Sequence, residues 1–247
     1  MFTPAERERI RAAIIERARH DRRITGVALT GSASTGREDA WSDIDLAFGV
    51  TGAADVAPTL AGWSAYMYET HGAVDHLDVA SGAWIYRVFL LANTLQVDLA
   101  FAPASDFGAR RPTFRLLFGE AATLPHVPPP AATTLIGYAW LYALHARSSL
   151  ARGRLWQAEY MVSAVRDQAL ALACLRHGED AREGRGMDSL PADVRERFAS
   201  ALVRDLNADE IGRAFRAVAD LALEETRHVD AALERRIGPV MIALAAA

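Results

Sequence analysis

Apolar and polar positions change period along this chain, and the change divides it. The chain opens on Thr3-Pro4-Ala5-Glu6, a capping box with proline at the first helical position, followed by apolar Ile10, Ala13, Ile14 and Ala18. That spacing predicts a helix ending near His20, with its charged face in solvent. Two apolar runs, 24–29 and 43–50, read as strands, with a turn and a short helix from Ser32 between them. A helix is expected over 56–69, which puts Pro58 in its first turn, where a missing N–H does no harm. The segment 76–79 reads as a short strand and 84–91 (WIYRVFLL) as a longer one. Asn93-Thr94 is the expected hairpin turn into 95–101. In that run Val97, Leu99 and Phe101 alternate with Gln96, Asp98 and Ala100, so Asp98 lies opposite the apolar stripe.

The segment 126–130 (HVPPP) is the clearest boundary, because a proline run stays extended and donates no hydrogen bonds. Beyond it the pattern is helical only, with helices expected over 137–150, 155–176, 192–206 and 209–236, and a loop around Gly184-Arg185-Gly186. The expected fold class is therefore α+β. Residues 1–125 form a mixed β-sheet domain with flanking helices, and residues 131–247 an α-helical bundle.

Hydrophobic residues make up 51% of the 247, enough for a sizeable core in each part. The net charge of −4 offers no basic excess for displacing counterions from nucleic acid, so no nucleic-acid partner is expected. The chain has no lysine, so any cationic phosphate contact must come from arginine. Cys174 is the single cysteine and sits among Ala and Leu, which reads as a small buried hydrophobe. No signal core and no membrane-length apolar run is present, so a cytoplasmic location without membrane association is expected. The histidines show no metal-ligand spacing, and Trp63, Trp84, Trp140 and Trp156 read as core.

The chemistry concentrates between the first two strands. Asp43 and Asp45 are one residue apart and point to the same face, and like charges so placed call for a cation between them. Divalent metals take carboxylate oxygen. Gly31-Ser32 lies at a helix start, where backbone N–H groups suit phosphate. Asp98 interrupts an apolar strand and is the natural third ligand, with a salt bridge to Arg87 as the other reading. Asp75 and Asp78 lie in an expected turn and are weaker ligands.

These residues read G-S-x-x-x-G-x-x-x-x-x-S-D-I-D, with a later Asp in Q-V-D-L-A-F, and over residues 24–103 the pattern resembles the polymerase-β-type nucleotidyltransferase superfamily. The resemblance implies two Mg²⁺ ions held by Asp43, Asp45 and Asp98, and ATP or another NTP as co-substrate. It implies that Gly31 and Ser32 hold the β- and γ-phosphates, that Arg37 reaches phosphate, and that Ser42 orients an Asp or the loop. The helical second half is similar to small-molecule nucleotidyltransferases of the antibiotic-resistance kind, in which a bundle closes the acceptor site. In their kanamycin-type members a bundle Glu is the general base and a basic residue one turn later contacts phosphate. Glu159 corresponds to that Glu, but Ser163 stands where the basic residue would be, and Arg166 is the nearest candidate. The implied activity is transfer of an NMP, AMP foremost, to a hydroxyl of a small acceptor such as an aminoglycoside or lincosamide, by a monomer or homodimer. A protein-modifying, antitoxin-like enzyme and a catalytically inactive nucleotide-binding regulatory module are the alternatives.

Overall fold

In the computed structural model, which describes residues 1–246, helix α1 (Pro4–His20) starts at the capping box: the Glu6 amide donates to Thr3 Oγ1 and the Thr3 amide to Glu6 Oε2. It leads into strand β1 (Ile24–Thr30), a single helical turn α2 (Gly31–Ser34) and strand β2 (Ile44–Val50). Then follow α3 (Ala53–His71), β3 (Ala73–Ser81), β4 (Trp84–Leu91), β5 (Gln96–Pro103) and β6 (Phe114–Gly119). The strands form one sheet in the order β3-β4-β5-β2-β1-β6. Only β2 and β5 run parallel, because the α3-β3-β4 excursion separates them, so the sheet is mixed and the protein is α+β.

One face of this sheet carries Val27, Leu29, Leu46, Phe48, Val97, Leu99 and Phe101, which form a core with Ile14 of α1 and Trp63 and Met67 of α3. Phe48 stacks on Phe101 with ring centroids 4.8 Å apart. The other face is lined at one end by Ala28, Ala47, Ala100 and Ala102, small enough to admit Trp84 and Phe107 over them. At its other end lie Asp45 and Asp98.

The chain divides into two compact units, Met1–Val127 and Pro128–Ala247. The second is helical: α4 (Ala132–Ala151), α5 (Leu155–His177), a 3-10 turn (Met187–Ser189), α6 (Ala192–Ala199), α7 (Ala208–Val229) and α8 (Ala231–Ala246). Ala139, Ala143 and Ala146 of α4 share its core with Ala158, Val162 and Val165 of α5 and Phe215 and Val218 of α7. Small residues at these positions let helix axes approach closely. Among the described residues no helix is long and apolar enough to cross a membrane.

Several sequence expectations need correction. Pro58 lies inside α3, because the helix starts at Ala53 rather than near Val56, and it removes one N–H from the ladder. Asp75 and Asp78 are on β3 and not in a turn: the strand expected over 76–79, which already contained Asp78, runs from Ala73 to Ser81 and takes in Asp75 as well. Strand β6 was not anticipated: it is an edge strand whose burial does not alternate cleanly. The helix expected over 192–206 ends at Ala199. The helix expected over 209–236 is two helices, broken at Asp230, whose backbone is extended and whose Oδ1 accepts from the Ala232 and Leu233 amides at 2.9 Å. Of the tryptophans read as core, Trp63 and Trp84 are buried, whereas Trp140 and Trp156 are exposed.

Candidate metal and phosphate site

Asp45 is the second residue of β2 and pairs across the parallel ladder with Asp98 of β5; Asp43 lies just ahead of β2. Parallel register thus brings together residues far apart in sequence. One carboxylate oxygen from each of Asp43, Asp45 and Asp98 lies within 4.8 Å of the others, and all three residues are half-buried. Gln96 Nε2 donates to Asp98 at 3.1 and 3.2 Å and to Asp43 Oδ2 at 3.4 Å, tying the first and third carboxylates together. Three converging carboxylates repel one another unless a cation neutralises them, and an all-oxygen donor set fits a hard divalent ion.

Gly31 closes the site from the β1 side. Its φ is +54°, and a Cβ built on it would stand 1.8 Å from Asp45 Oδ2. No other residue fits between α2 and that carboxylate without moving one of them. Within α2, Ser34 Oγ donates to the Gly31 carbonyl at 2.8 Å and Thr35 Oγ1 to the Ser32 carbonyl at 3.1 Å. These bonds hold the turn whose first amides, Gly31 and Ser32 among them, have no intrahelical acceptor. Gly36 also has a left-handed φ, +69°. Arg37 is exposed, and its Nε donates to Thr35 Oγ1 at 3.2 Å.

The loop between α2 and β2 is fixed from below by α1, whose charged face was expected in solvent. Arg7 and Arg11 are instead buried. Arg7 Nη1 donates to the carbonyls of Asp39 and Ser42 at 2.6 and 3.0 Å, the second immediately before Asp43. Arg11 Nη1 donates to Glu38 Oε1 at 2.6 Å and also pairs with Glu8. Burial opposes the Arg11 charge, but the Glu38 and Glu8 carboxylates outweigh it and raise its pKa above the ordinary arginine value. Ser42 Oγ accepts from the Asp39 amide at 2.9 Å and donates to Asp39 Oδ1 at 3.1 Å, so Ser42 shapes the loop. The Trp41 amide and the Ser42 hydroxyl hold the Asp39 carboxyl below the ordinary carboxylate range. Sequence reasoning missed both arginines, although Arg7 and Arg11 extend the Ile14–Ala18 stripe at helical spacing.

Arg87 does not pair with Asp98. It belongs to the opposite face of β4, where its Nε and Nη2 each meet Asp78 at 2.6 Å and its Nη1 donates to Ser64 Oγ. The Arg87 guanidinium holds the Asp78 carboxyl below its usual range.

In the helical unit, Glu159, Ser163 and Arg166 form one hydrogen-bonded run along α5. Ser163 Oγ donates to Glu159 Oε1 at 2.7 Å, and Arg166 Nη1 to Ser163 Oγ at 3.4 Å; Arg166 Nη2 also reaches Asp167 at 2.8 Å. Arg182 is occupied by Asp180 and the Pro128 carbonyl, and Arg185 by Glu183. Cys174 is fully buried, and burial pushes its thiol up to about 11, which leaves it unreactive.

Neither a scan of protein-family models nor a search of curated proteins finds a match to this sequence. Among solved structures the chain is similar to the crystal structure of an aminoglycoside 6-adenyltransferase from Bacillus subtilis. The identity is 15%, the TM-score 0.41, and the match covers 94% of this chain and 95% of that one. At that level the likeness assigns no residue of this chain a role.

Proposed function

We propose that this protein is a metal-dependent nucleotidyltransferase that moves a nucleoside monophosphate, AMP foremost, from an NTP to a hydroxyl of a small molecule. The observation that carries this reading is the convergence of Asp43, Asp45 and Asp98 within 4.8 Å, with Gly31 and the start of α2 set against Asp45. Such a site offers anionic ligands for divalent ions beside amides for phosphate. Two Mg²⁺ ions held by the three carboxylates would neutralise the phosphates and acidify the acceptor hydroxyl. Gly31 and Ser32 would bind the β- and γ-phosphates through backbone N–H and the Ser32 hydroxyl, with Arg37 within the same loop as a further phosphate contact. Ser42 and Arg7 fix the loop that carries Asp43. In the step itself the acceptor oxygen forms a bond to the α-phosphorus, the bond from that phosphorus to the pyrophosphate oxygen breaks, and the hydroxyl proton leaves. Glu159 is the proposed general base for that proton and Arg166 a phosphate contact. The acceptor class is that of aminoglycoside or lincosamide antibiotics, which would make the protein a resistance enzyme acting in the cytoplasm as a monomer or homodimer.

The test is pyrophosphate release from each of the four ribonucleoside triphosphates with Mg²⁺ and a panel of aminoglycosides and lincosamides. Turnover that is lost in Asp45→Asn supports the reading, and turnover that survives it at the wild-type rate overturns the metal assignment. Mg²⁺-dependent nucleotide binding with no turnover would favour a regulatory module, and label transferred to a protein would favour the antitoxin-like enzyme.

A further inference from the structure

On the sheet face that holds the carboxylates, one cross-strand row runs Asp45, Asp98, Val88, Leu77. Adjacent strands lie about 4.8 Å apart, so β4 stands about 5 Å and β3 about 10 Å from the Asp98 strand. The flanking rows place Leu90 and Asp75 beyond Gln96, and Tyr86 and Val79 beyond Ala100. Leu77 is 64% exposed, Leu90 51%, Val79 48% and Tyr86 38%. The alternate residues of β4, Phe89 and Leu91, are buried in the core on the other face. An apolar strip, open at Leu77, Leu90, Val79 and Tyr86, therefore begins one strand away from Asp98, and exposed apolar side chains grouped beside a polar site offer a ligand a surface to cover.

We infer that this strip seats the acceptor, and that the acceptor is an amphipathic hydroxylated compound with an apolar face and at most one ammonium group, not a polycation. The inference rests on the nucleotidyl-transfer reading and narrows its two acceptor classes, setting the polycationic aminoglycosides aside. In an in-line displacement the attacking oxygen enters opposite the leaving group. With the triphosphate held by Gly31 and Ser32, pyrophosphate departs on the β1 side of Asp45. The hydroxyl then enters from the β4–β3 side, over Val88 and Leu77. The strip carries one carboxylate, Asp75, whose Oδ1 accepts from the His76 amide at 2.8 Å. Asp78 belongs to the other face and is neutralised by Arg87. A compound with several ammonium groups would desolvate most of them against leucine and valine without a partner, which is unfavourable. A single amine at Asp75, with an apolar ring or alkyl group over Leu77, Val88 and Tyr86, leaves no charge unpaired.

The experiment uses the full chain with each NTP and Mg²⁺, lincomycin as the amphipathic probe and kanamycin as the polycationic one. Pyrophosphate release with lincomycin is expected. The exposed-site double variant Leu77→Ser, Leu90→Ser should raise the KM for lincomycin about tenfold, the loss expected for two apolar contacts. Its dissociation constant for the Mg²⁺–NTP complex should stay unchanged. Release with kanamycin alone, no release with lincomycin, or a lincomycin KM unchanged in the double variant overturns the inference. An unchanged KM with a smaller sedimenting species would assign the strip to a second copy of the chain. Failure of the wild-type protein to bind any NTP in a Mg²⁺-dependent way overturns the nucleotidyl-transfer reading itself, a result separate from the other three.

Discussion

At the scale of single residues, Gly31→Ala is the smallest change that tests the site. The added methyl would meet Asp45 Oδ2 at 1.8 Å on a backbone with φ +54°, so either α2 or the carboxylate must shift. A displacement of about 1 Å in a catalytic group costs on the order of 10²-fold in rate, and that loss of pyrophosphate release is expected with the fold intact by circular dichroism. Unchanged turnover would mean that Asp45 need not sit where it does. Arg7→Met keeps the buried stem but strips the Asp39 and Ser42 carbonyls of their donor. Hydrogen bonds involving a charged group are worth about 1.5–3 kcal/mol, so a lower urea midpoint is expected, together with a higher Mg²⁺ requirement as Asp43 loosens; a change in stability with no change in Mg²⁺ dependence would confine Arg7 to folding. The paired Asp were legible from their spacing of two at the head of an apolar run, although β2 itself begins at Ile44 and holds only Asp45. The support from Arg7 was not, because sequence cannot show which backbone carbonyls end up beneath a helix.

At the scale of elements, legibility followed the strength of the local signal. Helix α1 begins at its capping box and β4 spans the apolar run, because propensity, period and punctuation agree there. Asp230 shows the opposite case. The 3.6-residue pattern runs through it without Gly or Pro, and only its side chain, capping Ala232 and Leu233, marks the break. Asp230→Ala should destabilise α8 by about 1 kcal/mol, read as a lower melting temperature, while Asp230→Asn should be nearly neutral. At the end of α3, His71 is held by burial, which lowers its pKa below the ordinary 6.5; its ring meets the Tyr66 ring edge-on at 4.8 Å. A helix C-terminus favours a protonated His, but here desolvation prevails. The unfolded chain then binds a proton that the folded state resists, so this contribution is fully present above pH 6.5 and is lost as pH falls below it. Urea midpoints measured from pH 8 down to 5 should show that decline flattened in His71→Phe, which preserves the ring contact. An equal decline in both proteins would show that His71 does not titrate on unfolding.

At the scale of the molecule, each unit has its own core. Trp63, Phe48 and Phe101 anchor the first, and Phe215 with the alanine-rich faces of α4 and α5 anchors the second. The division between Val127 and Pro128 falls within the proline-rich stretch, where an extended, donor-poor backbone supports little local structure. The three carboxylates, Gly31, Arg7 and the apolar strip of β3 and β4 all belong to residues 1–127. A compact unit with its own contiguous core can in principle fold alone. A fragment of residues 1–127 is therefore expected to unfold cooperatively in urea and to bind an NTP with Mg²⁺ within about tenfold of the whole chain's affinity. The proposed phosphate contacts of α2 and the proposed metal ligands are present in that fragment, and of the proposed phosphate contacts Arg166 alone is missing. Transfer should be lost or strongly reduced if Glu159 and Arg166 hold the roles proposed for them, because both are absent. A fragment that folds but binds no nucleotide would show that the helical unit supplies most of the triphosphate affinity, with the proposed contact Arg166 as the first residue to substitute. A fragment that transfers at the full rate would remove Glu159 from the mechanism and leave the proton to solvent.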